Sequence, residues 1–248
     1  MSINTENVYD VQKDPWYSPK TVVEKFQALG AEYGENILKP EFKKAEEMFI
    51  ASVTLLGIYE NNQEENWLQI NQQSASPDIM AAKQTVRSGE LIRLEIMQME
   101  ITIMEEHFPN NDLVEFLLKT KLSPKKAYSE TMLIVCLVNR DIEIKVEEIS
   151  EKLKSIAPKT AIFIVGRQGD PKHFVLFSPY PTLTKEISFD VIETAKKMKL
   201  TDKTRFKRGT STTISYQNTH TEPVDIYKMF GLNEELIKSK YNKPEKVE

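Results

Sequence analysis

Apolar side chains follow a helical period in one part of the chain and a strand-like period in another. Residues 39–59 carry apolar side chains every three or four positions, at Phe42, Ala45, Phe49, Val53 and Leu56. This spacing is typical of the buried face of a helix. Further along, in residues 91–104, apolar and polar positions alternate, with Gln98, Glu100 and Thr102 on one face. Alternation with a period of two predicts a long strand.

The same reading applied to the whole chain predicts the order α-α-β-β-β-α-β-α-β-β-α. The predicted helices cover residues 21–30, 39–59, 113–119, 146–156, 188–199 and 235–240. The predicted strands cover residues 66–70, 77–83, 91–104, 131–139, 161–166 and 173–177, with a turn loop at 167–172. Segment 131–139 is apolar on both faces, which favours a central strand. The predicted fold class is α/β, with a mixed central sheet flanked by helices.

The chain divides into three predicted parts. Residues 1–40 form an N-terminal arm and helix, residues 41–199 an α/β core, and residues 200–248 a C-terminal extension. The arm is polar apart from Pro15, Trp16 and Tyr17, so we expect it to be ordered only where these aromatic side chains dock.

Composition excludes several classes of protein. The net charge of −4 disfavours purely electrostatic binding of nucleic acid, and the single cysteine, Cys136, rules out an internal disulfide and a cysteine-rich zinc site. No apolar run is long enough for a membrane span, and residues 1–20 lack signal-peptide features. We therefore predict an intracellular, cytoplasmic protein without membrane association. Glycine-rich phosphate loops and dinucleotide fingerprints are also missing from the sequence, which disfavours kinases and oxidoreductases.

Two acidic residues stand where apolar side chains are expected. Glu100 lies within the long predicted strand, and a buried carboxylate is costly unless something pairs with it. Asp78 opens the preceding predicted strand, and adjacent strands can bring two such side chains together at one edge of a sheet. Paired carboxylates of this kind commonly hold Mg²⁺ or Mn²⁺ in phosphoryl chemistry.

Pro77-Asp78, followed by a turn and a strand that carries Glu100-Ile101-Thr102, resembles the PD-(D/E)XK nuclease superfamily. The resemblance covers roughly residues 41–178, whose predicted elements are similar in order to the family's α-β-β-β-α-β core. It implies a restriction-endonuclease-like core and metal-dependent cleavage of phosphodiester bonds in DNA or RNA. Asp78 and Glu100 would be catalytic metal ligands for Mg²⁺ or Mn²⁺, and the Ile101 carbonyl a further ligand. The extra helix carboxylate found in parts of the family would be Glu46 or Glu47.

The chain departs from the family motif at Thr102, which stands where the family has a lysine. A Glu-x-Thr motif is similar to that of some viral cap-snatching endonucleases, in which a lysine comes from the following helix. The resemblance then implies Lys119 or Lys121 as the group that positions water or phosphate, with Lys125 and Lys126 as second choices.

Each assignment has a plainer alternative. Asp78 can cap the turn after Pro77, and Glu100 can lie at the exposed end of an edge strand. The segment with Arg205, Lys207 and Arg208 can contact nucleic-acid phosphates or form a solvated loop. The rival to a nuclease is an inactive nuclease-like or unrelated α/β module, acting through a protein partner or as a regulatory nucleic-acid-binding protein. Both functions allow a homo-oligomer.

Overall fold

The computed structural model describes residues 15–71, 76–87, 90–123, 128, 132–202, 206–208, 214–216 and 223–241. The helices are α1 (Pro19–Tyr33), α2 (Lys43–Asn62), α3 (Leu113–Thr120), α4 (Val146–Ile156), α5 (Val191–Lys197), α6 (Ile226–Met229) and α7 (Glu234–Tyr241). The strands are β1 (Asn66–Ile70), β2 (Ile79–Arg87), β3 (Glu90–Glu105), β4 (Met132–Asn139), β5 (Ala161–Gln168), β6 (Asp170–Tyr180), β7 (Ile187–Asp190), β8 (Phe206–Arg208) and β9 (Ile214–Tyr216).

Seven strands form one mixed sheet in which spatial order follows chain order, from β1 to β7. β3, β4 and β5 run parallel, while the pairs β1–β2, β2–β3, β5–β6 and β6–β7 are antiparallel. Strands β8 and β9 form a separate pair. The predicted α/β fold with a mixed sheet and flanking helices is therefore confirmed.

The two faces of the sheet support different helices. Side chains alternate along a strand, so Val135 of β4 packs in the core beneath α2 whereas its neighbours Ile134 and Cys136 pack beneath α3 and α4. α1 and α7 contribute to the same core as α2. Gly57 lets α2 approach the sheet closely, because a Cβ at this position would lie 2.6 Å from the Leu176 side chain. Cys136 is fully buried and packs as a small core side chain.

Several element boundaries differ from the predicted ones. The predicted helix 188–199 is wrong in its first turn, because Ile187–Asp190 pairs with β6 as β7 and the Asp190 side chain caps α5. β2 begins at Ile79, not at residue 77. The loop predicted at 167–172 is instead a tight turn at Gly169, whose φ of +68° suits glycine.

The aromatic residues of the arm dock on the sheet. Tyr17 and Leu68 of β1 exchange backbone hydrogen bonds of 2.8 and 2.7 Å. Trp16 is fully buried against Trp67 and Met80. Within the described residues, none of the helices combines the length and apolar content that a membrane span requires.

Candidate functional site

Asp78 lies where β2 and β3 stop pairing. The last residue of β2 to pair is Ile79, opposite Met99, and Asp78 immediately precedes it. Beyond this point the Ile101 N–H donates to Asp78 Oδ2 at 2.8 Å, so the carboxylate takes the place of a further strand residue. Because the N–H and C=O of a strand residue point to the same edge, the Ile101 carbonyl also lies on this side.

Glu100 faces the α3 side of the sheet and is almost completely buried, with 4% of its surface exposed. Its partner is Lys121, whose Nζ lies 2.6 Å from Glu100 Oε2 and 3.7 Å from Asp78 Oδ2. Lys121 is the residue that ends α3, a helix that begins where the Asp112 side chain caps the N–H groups of Val114 and Glu115. The length of α3 therefore places Lys121 next to the two carboxylates.

Glu47 approaches from the opposite face of the sheet, on α2. Its side chain is 12% exposed and lies 3.4 Å from Lys43 Nζ. Burial, and then the charge of Asp78, raise the pKa of Glu47 from 4.5 to about 7. Burial also raises the pKa of Asp78, against the opposing effect of Lys121. The carboxylates of Glu47 and Asp78 are close to each other and largely shielded from water, which favours the binding of a further cation.

Lys44 is a second lysine at this edge, and the sequence did not single it out. Its Nζ donates to the Asn71 carbonyl at 3.1 Å, just after β1. Burial lowers the pKa of Lys44, while Glu47 and Asp78 act to raise it. The sequence feature that could have indicated Lys44 is its position on α2, one helical turn before Glu47.

Glu100 Oε1 and the Tyr128 hydroxyl oxygen are among the buried side-chain atoms that form no hydrogen bond with any residue that the structure describes. Burial, and then the charges of Glu100 and Asp78, raise the pKa of Tyr128 well above its usual range, so this hydroxyl keeps its proton. Nothing in the local sequence pattern indicated Tyr128. Buried polar groups are nearly always satisfied, so an unsatisfied carboxylate oxygen and an unsatisfied hydroxyl that interact electrostatically point to a missing ligand or water.

Other residues predicted for the site lie elsewhere. Lys119 pairs with Glu115, and its Nζ lies 5.5 Å from the centre of the Phe108 ring. Glu46 is also on α2 but interacts with Glu105 and Arg167; its pKa is raised by burial first and by Glu105 second. The structure therefore brings Lys121 and Glu47, not Lys119 and Glu46, to Asp78 and Glu100.

The predicted nucleic-acid-binding segment is only partly described. Arg205 lies outside the described residues, as do Lys125 and Lys126. Lys207 and Arg208 are in β8, of which the structure describes the backbone. The roles predicted for these residues stay predictions.

The residues of this cluster fit a divalent cation that takes only a few of its ligands from the protein. Within the described part of the chain, no three or more His, Cys, Asp and Glu residues form a metal-binding group. Mg²⁺, however, is commonly held by one or two carboxylates, with waters and substrate phosphate completing the shell. Asp78, Glu100 with its unpaired Oε1, and the Ile101 carbonyl supply such a set.

A cavity of about 270 Å³ lies apart from this cluster, between the N-terminal ends of α3 and α4. Its lining includes Asp112, Lys145, Glu148 and Lys152, and none of the clustered residues. Lys152 and Asp112 pair with each other at 2.8 Å, so these charges are already neutralised. The carboxylates at the β2–β3 edge carry the stronger chemical signal.

No protein-family model, curated protein or solved structure matches the chain. The resemblance to the PD-(D/E)XK superfamily therefore depends on the motif residues and on the order of elements.

Proposed function

We propose that this protein is a divalent-metal-dependent nuclease that cleaves phosphodiester bonds in DNA or RNA. The observation that carries the proposal is the convergence of Asp78, Glu100 and Lys121 at one edge of the sheet. The run α2-β1-β2-β3-α3-β4 supports it, because this order is similar to the superfamily's α-β-β-β-α-β core. The restriction-endonuclease-like assignment of this core belongs to the same proposal.

Asp78, Glu100 and the Ile101 carbonyl would hold Mg²⁺ or Mn²⁺. When bound, the metal supplies charge neutralisation at the phosphate and a more acidic bound water. Lys121 would supply the ammonium group that Thr102 lacks, since it contacts Glu100 and can orient a phosphate oxygen or a water there. Glu47, whose pKa burial and the charge of Asp78 raise to about 7, would be the additional helix carboxylate of the site.

A second function is favoured by the same ion pairs. Lys121 already offsets the charges of Asp78 and Glu100, so the cluster can be stable without a metal. In that case the protein is an inactive nuclease-like module that acts through a protein partner or as a regulatory nucleic-acid-binding protein.

Thermal unfolding with Mn²⁺ or Mg²⁺ separates the two functions. A cation that binds only the folded protein raises the Tm by mass action, and we expect this for the wild type but not for Asp78→Asn. Glu60→Gln is the matched control, because Glu60 is on α2 but pairs with Lys197 outside the cluster. Cleavage is then measured on single- and double-stranded DNA and RNA. An unchanged Tm at millimolar metal, together with intact substrates, would support the inactive module.

A further inference from the structure

The Tyr128 hydroxyl is the polar atom of this cluster that the proposed metal and lysine roles leave unexplained. It is shielded from solvent and has no hydrogen-bond partner among the described residues. Leaving a buried hydroxyl unsatisfied destabilises the folded protein. An unsatisfied hydroxyl that interacts electrostatically with two carboxylates indicates a binding site for a ligand.

The surroundings of Tyr128 define the chemistry of that group. The ring packs on the core beneath α3 and α4, which holds it in place. Its hydroxyl interacts electrostatically with Glu100 and Asp78, and both of these acids also contact Lys121. Because the hydroxyl remains protonated, it can donate a hydrogen bond to an anionic oxygen.

Glu100 Oε1 is the second unpaired atom of the cluster, and its carboxylate is nine-tenths buried or more. Glu100 Oε1 can accept and the Tyr128 hydroxyl can donate, and the two groups interact electrostatically, so they suit a cation and an anion bound together. A phosphate oxygen ligated to a divalent metal is such a pair.

We infer that Tyr128 contacts the substrate, donating its hydroxyl proton in a hydrogen bond to a non-bridging oxygen of the scissile phosphodiester. This inference rests on the proposed nuclease function. It assigns a phosphate-binding role to a residue outside the PD-(D/E)XK motif. The phosphate would then be held by three groups: the Tyr128 hydroxyl, the Lys121 ammonium and the metal.

The test is Tyr128→Phe, which removes one oxygen and keeps the ring. We expect kcat/KM for cleavage to fall about 100- to 1,000-fold, as for loss of one preorganised donor. The Tm without ligand should stay the same or rise, because an unsatisfied hydroxyl is removed. A purely structural hydroxyl would instead lower the Tm. Tyr180→Phe is the matched control, since Tyr180 packs against the same core from β6.

A second measurement separates this inference from the proposed function. The Tm is measured in Mg²⁺ with and without inorganic phosphate, for the wild type and Tyr128→Phe. A phosphate-dependent rise that the variant largely loses supports the inference even when no tested substrate is cut. If the wild type cleaves and the variant cleaves equally well, Tyr128 does not contact phosphate and only this inference is wrong. If the wild type neither cleaves nor gains stability with phosphate, both proposals are wrong.

Discussion

Helix α2 carries a glutamate near each end, and the two lie in opposite electrostatic environments. Glu60 accepts hydrogen bonds of 2.9 Å from Lys197 Nζ at both carboxylate oxygens and one of 3.0 Å from Thr194. These partners, Lys197 first, lower the pKa of Glu60. Glu47 is more buried, lies near Asp78, and has its pKa raised to about 7. One end of the helix has a satisfied acid, and the other an acid that the fold destabilises.

The difference indicates what each group contributes. A carboxylate with a lowered pKa stabilises the folded state, whereas a crowded acid with a raised pKa costs stability. Strongly perturbed groups of the second kind concentrate at functional sites. Glu60 and Lys197 hold α5 against α2, while Glu47, Asp78, Glu100 and Lys121 form the place where chemistry is expected.

The largest expected effect is on nuclease activity, and it distinguishes the cluster near Glu47 from the Glu60 end of α2. Asp78→Asn or Glu100→Gln should reduce cleavage about 10³-fold, equivalent to about 4 kcal/mol of transition-state stabilisation. Both variants should also lose the metal-dependent rise in Tm, because each removes a proposed ligand. Glu60→Gln should retain both properties. Equal losses in all three variants would remove the distinction between the two ends.

The next effect concerns the buried ion pair. Lys121→Met leaves the Glu100 carboxylate buried without its cation, and we expect a loss of about 3–5 kcal/mol in the free energy of unfolding at pH 8. Lys119→Met is the control, since Lys119 is a solvent-exposed lysine two positions earlier. It should change stability by less than about 0.5 kcal/mol. Urea unfolding in the presence of a chelator measures both values, and similar losses would place Lys119 in the cluster instead.

For Glu47 we expect a pH-dependent change in stability whose sign is opposite to that for Lys121, because its substitution should stabilise the protein. Its folded-state pKa of about 7 exceeds the value of 4.5 for a free carboxyl, so the folded protein binds more protons than the unfolded chain between these pH values. The contribution of Glu47 to the free energy of unfolding therefore falls as the pH rises from 4.5 to 7. In chelator, Glu47→Gln should be more stable than the wild type by about 3 kcal/mol at pH 8, and the gain should vanish near pH 4.5. A variant that is less stable at pH 8 would show Glu47 to be a satisfied acid like Glu60.

The smallest effect belongs to the satisfied end of α2. Glu60→Gln should lose about 1 kcal/mol at pH 7, because partly exposed ion pairs contribute little. This loss should shrink at high salt, where surface charges are screened. Urea unfolding at low and high NaCl measures it, and a salt-independent loss above about 3 kcal/mol would contradict the weak-pair interpretation.

The sequence pattern was most informative where local periodicity decides structure. The amphipathic spacing of residues 146–156 matches α4, and the alternation around Glu100 matches β3. It failed at Ile187–Asp190, which joined the sheet as β7 instead of extending α5. Pairing with β6 is a long-range interaction, and local helix propensity does not report it.

The candidate site shows the same division at the level of single side chains. The sequence indicated that Asp78 and Glu100 can meet at one edge of the sheet, because they lie on two consecutive strands. The register that places them together depends on an irregularity between Thr85 and Val86, which only the tertiary structure decided. The tertiary structure decided which lysine and which helix acid join them. Neighbouring helix residues point about 100° apart, so the rotation of α2 selects Glu47 over Glu46. The end point of α3 selects Lys121 over Lys119. Tyr128 packs on the core beneath α3 and α4, within electrostatic range of the two acids, and only the tertiary structure shows this.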